Sequence, residues 1–384
     1  MPKPEGKCPA AACHSQVKCE YHDVRSPDEL KTWVEGILAT DAGDHPAGRD
    51  IRSDQLGIGF DLIAGDASPR KYYRVVCPGE QGAKARSYVA VDAPSTEKTP
   101  EFLRIRALLE RAGVRVPELV AADADAGFML LEDLGDDVLL PILSDHSVAA
   151  WYAMALGSLV KIAALPPADA GLPEYDGPRL QAEMNLFKDW FVPKLLELPW
   201  SDGLESSFSE LSHLLLASAA EQPRVVVHRD FHSRNFMVVH NGDLAVIDFQ
   251  DAVIGPVTYD PVSLLKDCYI QWPRDRQLSW LLDHKRNLPG QGVADVDDGT
   301  FVRWFDLMGL QRHIKVLGIF ARLCFRDDKP SYLNDLPLVI DYVLEVLELY
   351  ASEIVPVANF RKVFLAEVLP ACRQQPWYGR GSAP

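Results

Sequence analysis

The sequence predicts an α+β fold in which a small β-rich lobe precedes a larger, mostly α-helical lobe. Short β-type runs, separated by glycine and polar residues, follow one another over residues 60–94. From residue 136 onward, apolar residues recur mainly with the period of a helix. Within this helical part, residues 224–256 return to β-type runs, and Asn241-Gly242 among them is a strong hairpin signal.

The first lobe is expected to begin with a helix, because Ser26 can cap one and Pro27 suits its first position. Three strands, a helix that ends at Gly113 and a further strand should follow it. Their predicted ranges are 60–65, 71–77, 87–94, 100–113 and 127–135. The second lobe should contain a helix over residues 147–165, which a pair of prolines ends after residue 165.

Size and charge limit the classes of protein that fit. The chain has 384 residues, more than the ~150 of a typical domain, and 47% of them are apolar, which is enough for a sizeable core. Its 39 basic and 55 acidic residues give a net charge of −16. Such a charge repels phosphate backbones and anionic membranes. Nucleic acids and membranes are therefore not expected as partners.

The cysteines and the terminal segments favour a reduced, cytoplasmic protein. The seven cysteines are odd in number and the last four are widely scattered, as expected of free thiols. Residues 1–25 lack the apolar stretch of a secretory signal, and their cysteines and histidines follow no zinc-binding pattern. We expect a disordered leader there and a frayed tail over residues 371–384.

One loop concentrates the residues that suit phosphate transfer. Asp230 precedes Asn235 by five residues between two hydrophobic runs, and Asp248 follows thirteen residues later at the end of a third run. A carboxylate can orient a hydroxyl group and accept its proton, while a carboxamide and a second carboxylate can supply oxygen ligands to Mg²⁺. The spacing therefore predicts Asp230 as the base and the other two residues as metal ligands.

The segments HRDFHSRN (228–235) and VIDFQDAVIGPVTYDPVSLLKD (246–267) closely resemble the aminoglycoside phosphotransferase superfamily, a branch of the protein-kinase-like fold. Further stretches, among them GFMLLEDLG (127–135) and HIKVLGIFARLCFRDDK (313–329), make the chain similar to a subgroup, the anomeric amino-sugar kinases of bacterial cell-wall recycling. The likeness covers about residues 28–365. It implies a bilobal fold and ATP-dependent phosphorylation of the anomeric hydroxyl of N-acetylmuramate, N-acetylglucosamine or both.

The resemblance also implies a role for each matching residue. Asp230 matches the catalytic aspartate, and Asn235 and Asp248 match the ligands of Mg²⁺. His228 and Asp260 match residues that brace the catalytic loop without touching the substrate. The resemblance also implies two lobes. Residues 26–135 would bind the nucleotide, and residues 136–370 would carry catalysis and substrate binding.

The nucleotide-binding elements of protein kinases are only partly present. A single glycine, Gly65, stands where their glycine-rich loop is expected, and Ser68 could still turn a hydroxyl group toward phosphate. Asp92 occupies the position of their phosphate-pairing lysine. Arg74 is the expected replacement, with Arg70 as the second candidate.

Two further expectations concern the same lobe. Glu97 or Glu101 should pair with the arginine that replaces the lysine. Backbone groups of residues 130–135 should meet the edge of adenine, chiefly at Glu132 and Leu134.

Polar residues of the second lobe are candidates for binding the sugar. Glu183 and Asp267 can fix hydroxyl groups, and Arg322 can form a two-point pair with the lactyl carboxylate of N-acetylmuramate. An ion pair on a helix surface is the alternative for Arg322. The expected partner is a small-molecule amino sugar, and the chain should be a monomer or a weak dimer.

Other functions stay open at this point. His228, Asp230 and His232, with Asp248, would suit a metal-dependent hydrolase, although Asn235 then has no task. The missing lysine could mark an inactive binding protein, against which the retained aspartates argue. Within the same fold, an aminoglycoside- or choline-type phosphotransferase is the alternative.

Overall fold

The computed structural model describes residues 27–41, 58–63, 69–78, 85–290 and 292–380. Contacts between Cα atoms divide the chain into two units, residues 1–103 with 117–134 and residues 104–116 with 135–384. The predicted α+β class is confirmed, with strands prevailing in the first unit and helices in the second. The predicted leader lies outside the described residues.

A five-stranded antiparallel sheet in the order β1-β2-β3-β5-β4 forms the first unit. Its elements are α1 (Pro27–Asp41), β1 (Gly59–Ile63), β2 (Lys71–Cys77), β3 (Arg86–Asp92), β4 (Leu119–Asp123) and β5 (Phe128–Glu132). Helix α1 begins at the predicted proline, and its apolar residues Leu30 and Val34 pack against Val75 and Leu130 of the sheet core. Strand β4 was not predicted as a separate element.

Helix α2 (Thr99–Arg111) belongs to both units, because the division falls after Leu103. The first unit ends at Leu134, whereas the sequence placed the boundary at residue 135. The sequence did not predict that residues 104–116 would join the second unit.

The second unit is built around α9, a helix of 30 residues that is buried along most of its length. Its helices are α3 (Val148–Ala163), α4 (Pro167–Ala170), α5 (Gly177–Leu186), α6 (Asp202–Ala220), α7 (Tyr259–Leu265), α8 (Arg274–Asn287), α9 (Asp298–Asp327), α10 (Leu336–Tyr350), α11 (Val355–Val363) and α12 (Leu369–Arg373). Helix α5 continues into a π-helical segment, Phe187–Leu195, and a shorter one, Phe364–Val368, joins α11 to α12.

Two small antiparallel ribbons interrupt these helices. Strand β6 (Arg224–Val227) pairs with β9 (Val253–Pro256), and β7 (Phe236–Val238) pairs with β8 (Leu244–Val246). The hairpin predicted from Asn241-Gly242 is confirmed as the β7–β8 connection. Strand β9 was not predicted as a separate element.

The C-terminal segment differs from the expected frayed tail as far as Arg380. Its first residues lie in α12, and the side chains of Cys372 and Trp377 are buried in the large core. These apolar side chains explain why this stretch packs. Among the described residues, no helix combines the length and the apolar character needed to cross a bilayer.

One glycine allows the backbone of α9 to approach the end of α5. A Cβ atom on Gly318 would lie 2.3 Å from the carbonyl carbon of Leu186 and 2.5 Å from the backbone nitrogen of Phe187. A Cβ on Gly157 of α3, in contrast, would meet nothing within 4 Å.

We therefore expect opposite effects from the same substitution in two helices. Gly318→Ala should destabilise the protein by about 1–3 kcal/mol, because the methyl group forces two backbones apart. Gly157→Ala should stabilise it by about 0.5–1 kcal/mol, because alanine loses less backbone entropy in a helix. Thermal unfolding midpoints measure both, and a Gly318→Ala protein as stable as wild type would contradict the close approach.

Candidate active site

The loop that carries Asp230 is fixed to α7 by carboxylates that bind its backbone. Asp260 accepts hydrogen bonds from the N–H groups of His228 at 2.7 Å and Arg229 at 3.0 Å. Arg229 adopts a left-handed φ of 78°, which the two hydrogen bonds help to hold. Farther along, Asp267 accepts from the N–H of Ser233 at 2.9 Å and from its hydroxyl group. The loop is thus anchored at two points.

The structure brings together the three residues that the spacing singled out. The side-chain amide of Asn235 donates to the backbone oxygen of Asp230 at 2.9 Å and to a carboxylate oxygen of Asp248 at 3.2 Å. Asp248 has a left-handed φ of 63°, and its other oxygen accepts from Gln250 at 2.7 Å. A backbone hydrogen bond of 3.1 Å from Ile247 to Asn235 holds the two segments in register.

This donor set fits a hard divalent cation. Desolvation and the nearby charge of Asp230 both raise the pKa of Asp248. They disfavour its ionised form, which a bound cation would stabilise. Asn235 and Asp248 would supply oxygen ligands, and Mg²⁺ usually completes its shell with water and phosphate oxygens. The described part of the chain contains no group of three or more His, Cys, Asp or Glu side chains placed to hold a metal ion.

Two buried cations of α9 lie behind Asp230, and the sequence analysis missed both. Arg312 places a guanidinium nitrogen 3.9 Å from a carboxylate oxygen of Asp230, and its side chain is 5% exposed against 40% for the aspartate. Partial burial would raise the pKa of Asp230, but Lys315 and Arg312 outweigh it and lower that pKa to about 2. Asp230 therefore stays ionised and accessible. The available signal was the spacing of three residues between Arg312 and Lys315, which puts both cations on one face of a long helix.

These cations belong to a compact polar network. Lys315 lies 3.0 Å from a carboxylate oxygen of Glu183 in α5, and Arg229 of the loop binds the other oxygen of Glu183 at 2.5 Å. The hydroxyl group of Tyr175 donates to Glu183, while that of Tyr259 accepts from Arg312 at 3.1 Å and from Lys315 at 3.0 Å. Helices α5, α7 and α9 meet at this network.

Protein groups surround both of the carboxylates that the sequence predicts as sugar contacts. Both oxygens of Glu183 are engaged by protein groups, so its charge serves the network. Asp267 is 1% exposed, and its oxygens accept from Ser233 and from the backbone of Tyr269 at 3.1 Å. Both residues position the loop because internal donors surround them. Arg322 lies in α9, seven residues after Lys315 and therefore on the same face of the helix.

The two histidines of the loop make contacts within the protein. His228 is 2% exposed, and its Nε2 atom lies 3.1 Å from the backbone oxygen of Ile247. Burial lowers its pKa to about 4, so the ring is neutral. His232 packs its ring edge-on against Tyr269, with centroids 5.4 Å apart. Both histidines support the loop through packing.

In the first unit, the predicted nucleotide-binding residues have differing surroundings. Arg74 pairs with Asp133 at 2.8 Å, and the buried Arg70, the second candidate, pairs with Glu97 at 3.1 Å. The N–H group of Glu132 donates to the backbone oxygen of Glu118 at 2.9 Å, so this donor is already engaged within the protein. Leu134 follows this sheet bond by two residues. Gly65 and Ser68 lie outside the described residues.

Comparisons with known proteins agree with this site. A sequence model of the phosphotransferase enzyme family matches residues 60–294. The N-acetylmuramate/N-acetylglucosamine kinase of Pseudomonas putida is 40% identical over 328 residues, which are 85% of this chain and 93% of that protein. The predicted resemblance is thereby confirmed.

Two solved structures show the same fold. The ethanolamine kinase of Plasmodium vivax has a TM-score of 0.58 at 12% identity, and the match covers 85% of this chain and 92% of that chain. The ADP-bound aminoglycoside phosphotransferase APH(2'')-Ib has a TM-score of 0.50 at 14% identity, over 76% of this chain and 96% of that chain. At such identities, these matches speak for the fold alone.

The charge balance around Asp230 predicts a change in pH dependence. Lys315→Met removes the largest charge that lowers the pKa of Asp230, so this pKa should rise. The carboxylate must be ionised to accept a proton, and the acid limb of kcat/KM should therefore move to higher pH.

Lys188→Met is the matched control, because Lys188 forms an exposed pair with Glu205. Its pH profile should match that of the wild type. A Lys315→Met profile with an unshifted acid limb would show that Lys315 does not tune the aspartate.

Proposed function

The chain belongs to the phosphotransferase enzyme family, and from this premise we propose that it transfers the γ-phosphate of ATP to the anomeric hydroxyl of N-acetylmuramate and N-acetylglucosamine. The observation that carries the proposal is the 40% identity with a kinase of that name, which extends over 85% of the chain. This activity would return amino sugars of the cell wall to metabolism as sugar 1-phosphates.

Asp230 would orient the acceptor hydroxyl group and receive its proton. A carboxylate with a pKa of about 2 is a weak base. It suffices because phosphate transfer passes through a loose transition state in which the proton moves late. An anomeric hydroxyl group is also somewhat more acidic than other sugar hydroxyl groups, which makes it a suitable acceptor.

The donor is proposed to be ATP bound with Mg²⁺. Asn235 and Asp248 would hold the metal ion, which offsets the charge of the phosphates when it is bound. The first unit would bind the nucleotide through residues near Arg74 and Leu134, together with Gly65 and Ser68. A monomer or weak dimer in an ATP-containing compartment, the cytoplasm, completes the proposal.

An aminoglycoside- or choline-type acceptor is the second candidate. It rests on solved structures that share 12–14% identity with this chain, so the support is limited to the common fold. The amino-sugar proposal has the stronger basis because the matching relative is much more similar.

The role of Asp230 is tested by a change that preserves its size. Asp230→Asn should reduce the rate of phosphate transfer by about 10²–10⁴-fold, because it removes the proton acceptor. Asp248→Ala and Asn235→Ala should in addition weaken binding of Mg-ATP, as measured by calorimetry. The control is Asp169→Asn, at an exposed aspartate of α4. Turnover of Asp230→Asn at the wild-type rate would end the assignment.

The position of the new phosphate tests the reaction itself. With Mg-ATP and a panel of amino sugars, aminoglycosides and choline, phosphorus NMR should detect a sugar 1-phosphate. The 1-O-methyl glycosides should bind without reacting, because the nucleophilic oxygen has lost its proton while the other groups remain. Phosphate at O6 of a methyl glycoside, formed as fast as with the free sugar, would refute anomeric transfer but not the kinase activity.

A further inference from the structure

Helix α9 carries a stripe of basic side chains that starts behind the catalytic loop. Lys315 and Arg322 are seven residues apart, so they lie almost directly in line on the helix surface, about 10 Å from each other along its axis. Arg312 begins the stripe three residues before Lys315 and approaches Asp230. The stripe therefore leads from the reacting position outward over about three helical turns.

Arg322 differs from the other two because protein groups do not neutralise it. Arg312 is held by Asp230 and Tyr259, and Lys315 by Glu183. Arg322 makes no hydrogen bond or ion pair with any side chain in the part of the chain that the structure describes, and its Nε atom is buried. Burial and the neighbouring charge of Arg326 lower its pKa.

The nearby acidic groups are already engaged. Arg326 binds Asp327 through two nitrogen atoms, at 2.8 Å and 2.9 Å. Glu183 interacts electrostatically with Arg322 but is paired with Arg229 and Lys315. An excess of positive charge therefore remains at Arg322, in a protein whose net charge is −16.

The electrostatic interaction of Arg322 with Glu183 puts its charge on the side of α9 that faces the polar network beside Asp230. Long side chains on an α-helix lean toward its N-terminus, so Arg322 leans toward Lys315 and Glu183. A sugar whose anomeric hydroxyl group lies at Asp230 would extend along this stripe. A carboxylate carried by the far side of the ring would then face a partly dehydrated guanidinium that lacks an anion.

We propose that Arg322 binds the lactyl carboxylate of N-acetylmuramate and thereby sets the enzyme's preference between its two acceptors. The inference rests on the proposed function, because it takes both amino sugars as substrates. N-Acetylglucosamine has a neutral hydroxyl group where N-acetylmuramate carries the lactyl ether. A guanidinium forms two parallel, charge-assisted hydrogen bonds with a carboxylate but not with a hydroxyl group.

The test compares the two sugars in Arg322→Gln, Arg322→Lys and wild type. In Arg322→Gln, kcat/KM for N-acetylmuramate should fall about 10- to 100-fold more than kcat/KM for N-acetylglucosamine, mainly through KM. Arg322→Lys should fall in between, because lysine keeps the charge and loses the two-point geometry. The control Arg326→Gln, one turn farther along α9, should keep the wild-type ratio. A purely structural role of Arg322 would lower both values alike.

The remaining outcomes separate this inference from the function on which it rests. An equal loss for both sugars, or a loss expressed as a higher KM for ATP, would overturn the role of Arg322 while leaving the kinase activity in place. Calorimetric binding of N-acetylmuramate needs no turnover, and equal affinity in wild type and Arg322→Gln would overturn the inference as well. Failure of wild type to phosphorylate either sugar would refute the proposed function instead.

Discussion

Two positive charges, on Arg312 and Lys315, are buried in the centre of the second unit, and the rest of the site depends on how they are neutralised. A buried cation is tolerated only when anions and hydrogen-bond acceptors surround it. Asp230 and Glu183 supply the negative charge, and Tyr259 supplies an oxygen. Three separate helices and the catalytic loop are thereby drawn to one point. The same positive charges lower the pKa of Asp230 and keep its carboxylate ionised.

The sequence predicted those parts of the site whose geometry is local. Asp230 and Asn235 lie five residues apart on one loop. Asp248 is brought near them by the β7–β8 hairpin, which Asn241-Gly242 predicts. Arg312 approaches Asp230 across more than eighty residues of intervening chain, so no spacing rule could reveal it.

The pairing of charged residues is a second feature that sequence spacing does not reveal. Glu183 and Asp267 are predicted to contact the sugar because they are carboxylates of the second lobe. Internal donors already occupy their oxygens, which the sequence cannot show. The pairing of Arg74 with Asp133 is likewise visible only in the folded chain. The number of charges is read easily from sequence, but the pairing among them is a property of the folded chain.

The contact at Gly318 has a consequence for how such enzymes diverge. Because the backbone of α9 touches the junction of α5 and its π-helical extension there, the two segments cannot slide past each other. Lys315 and Arg322 flank this contact, so the backbone packing fixes their positions along α9 relative to the loop. With the proposed role of Arg322, selection could exchange this side chain, and with it the accepted sugars, without moving the residues around Asp230.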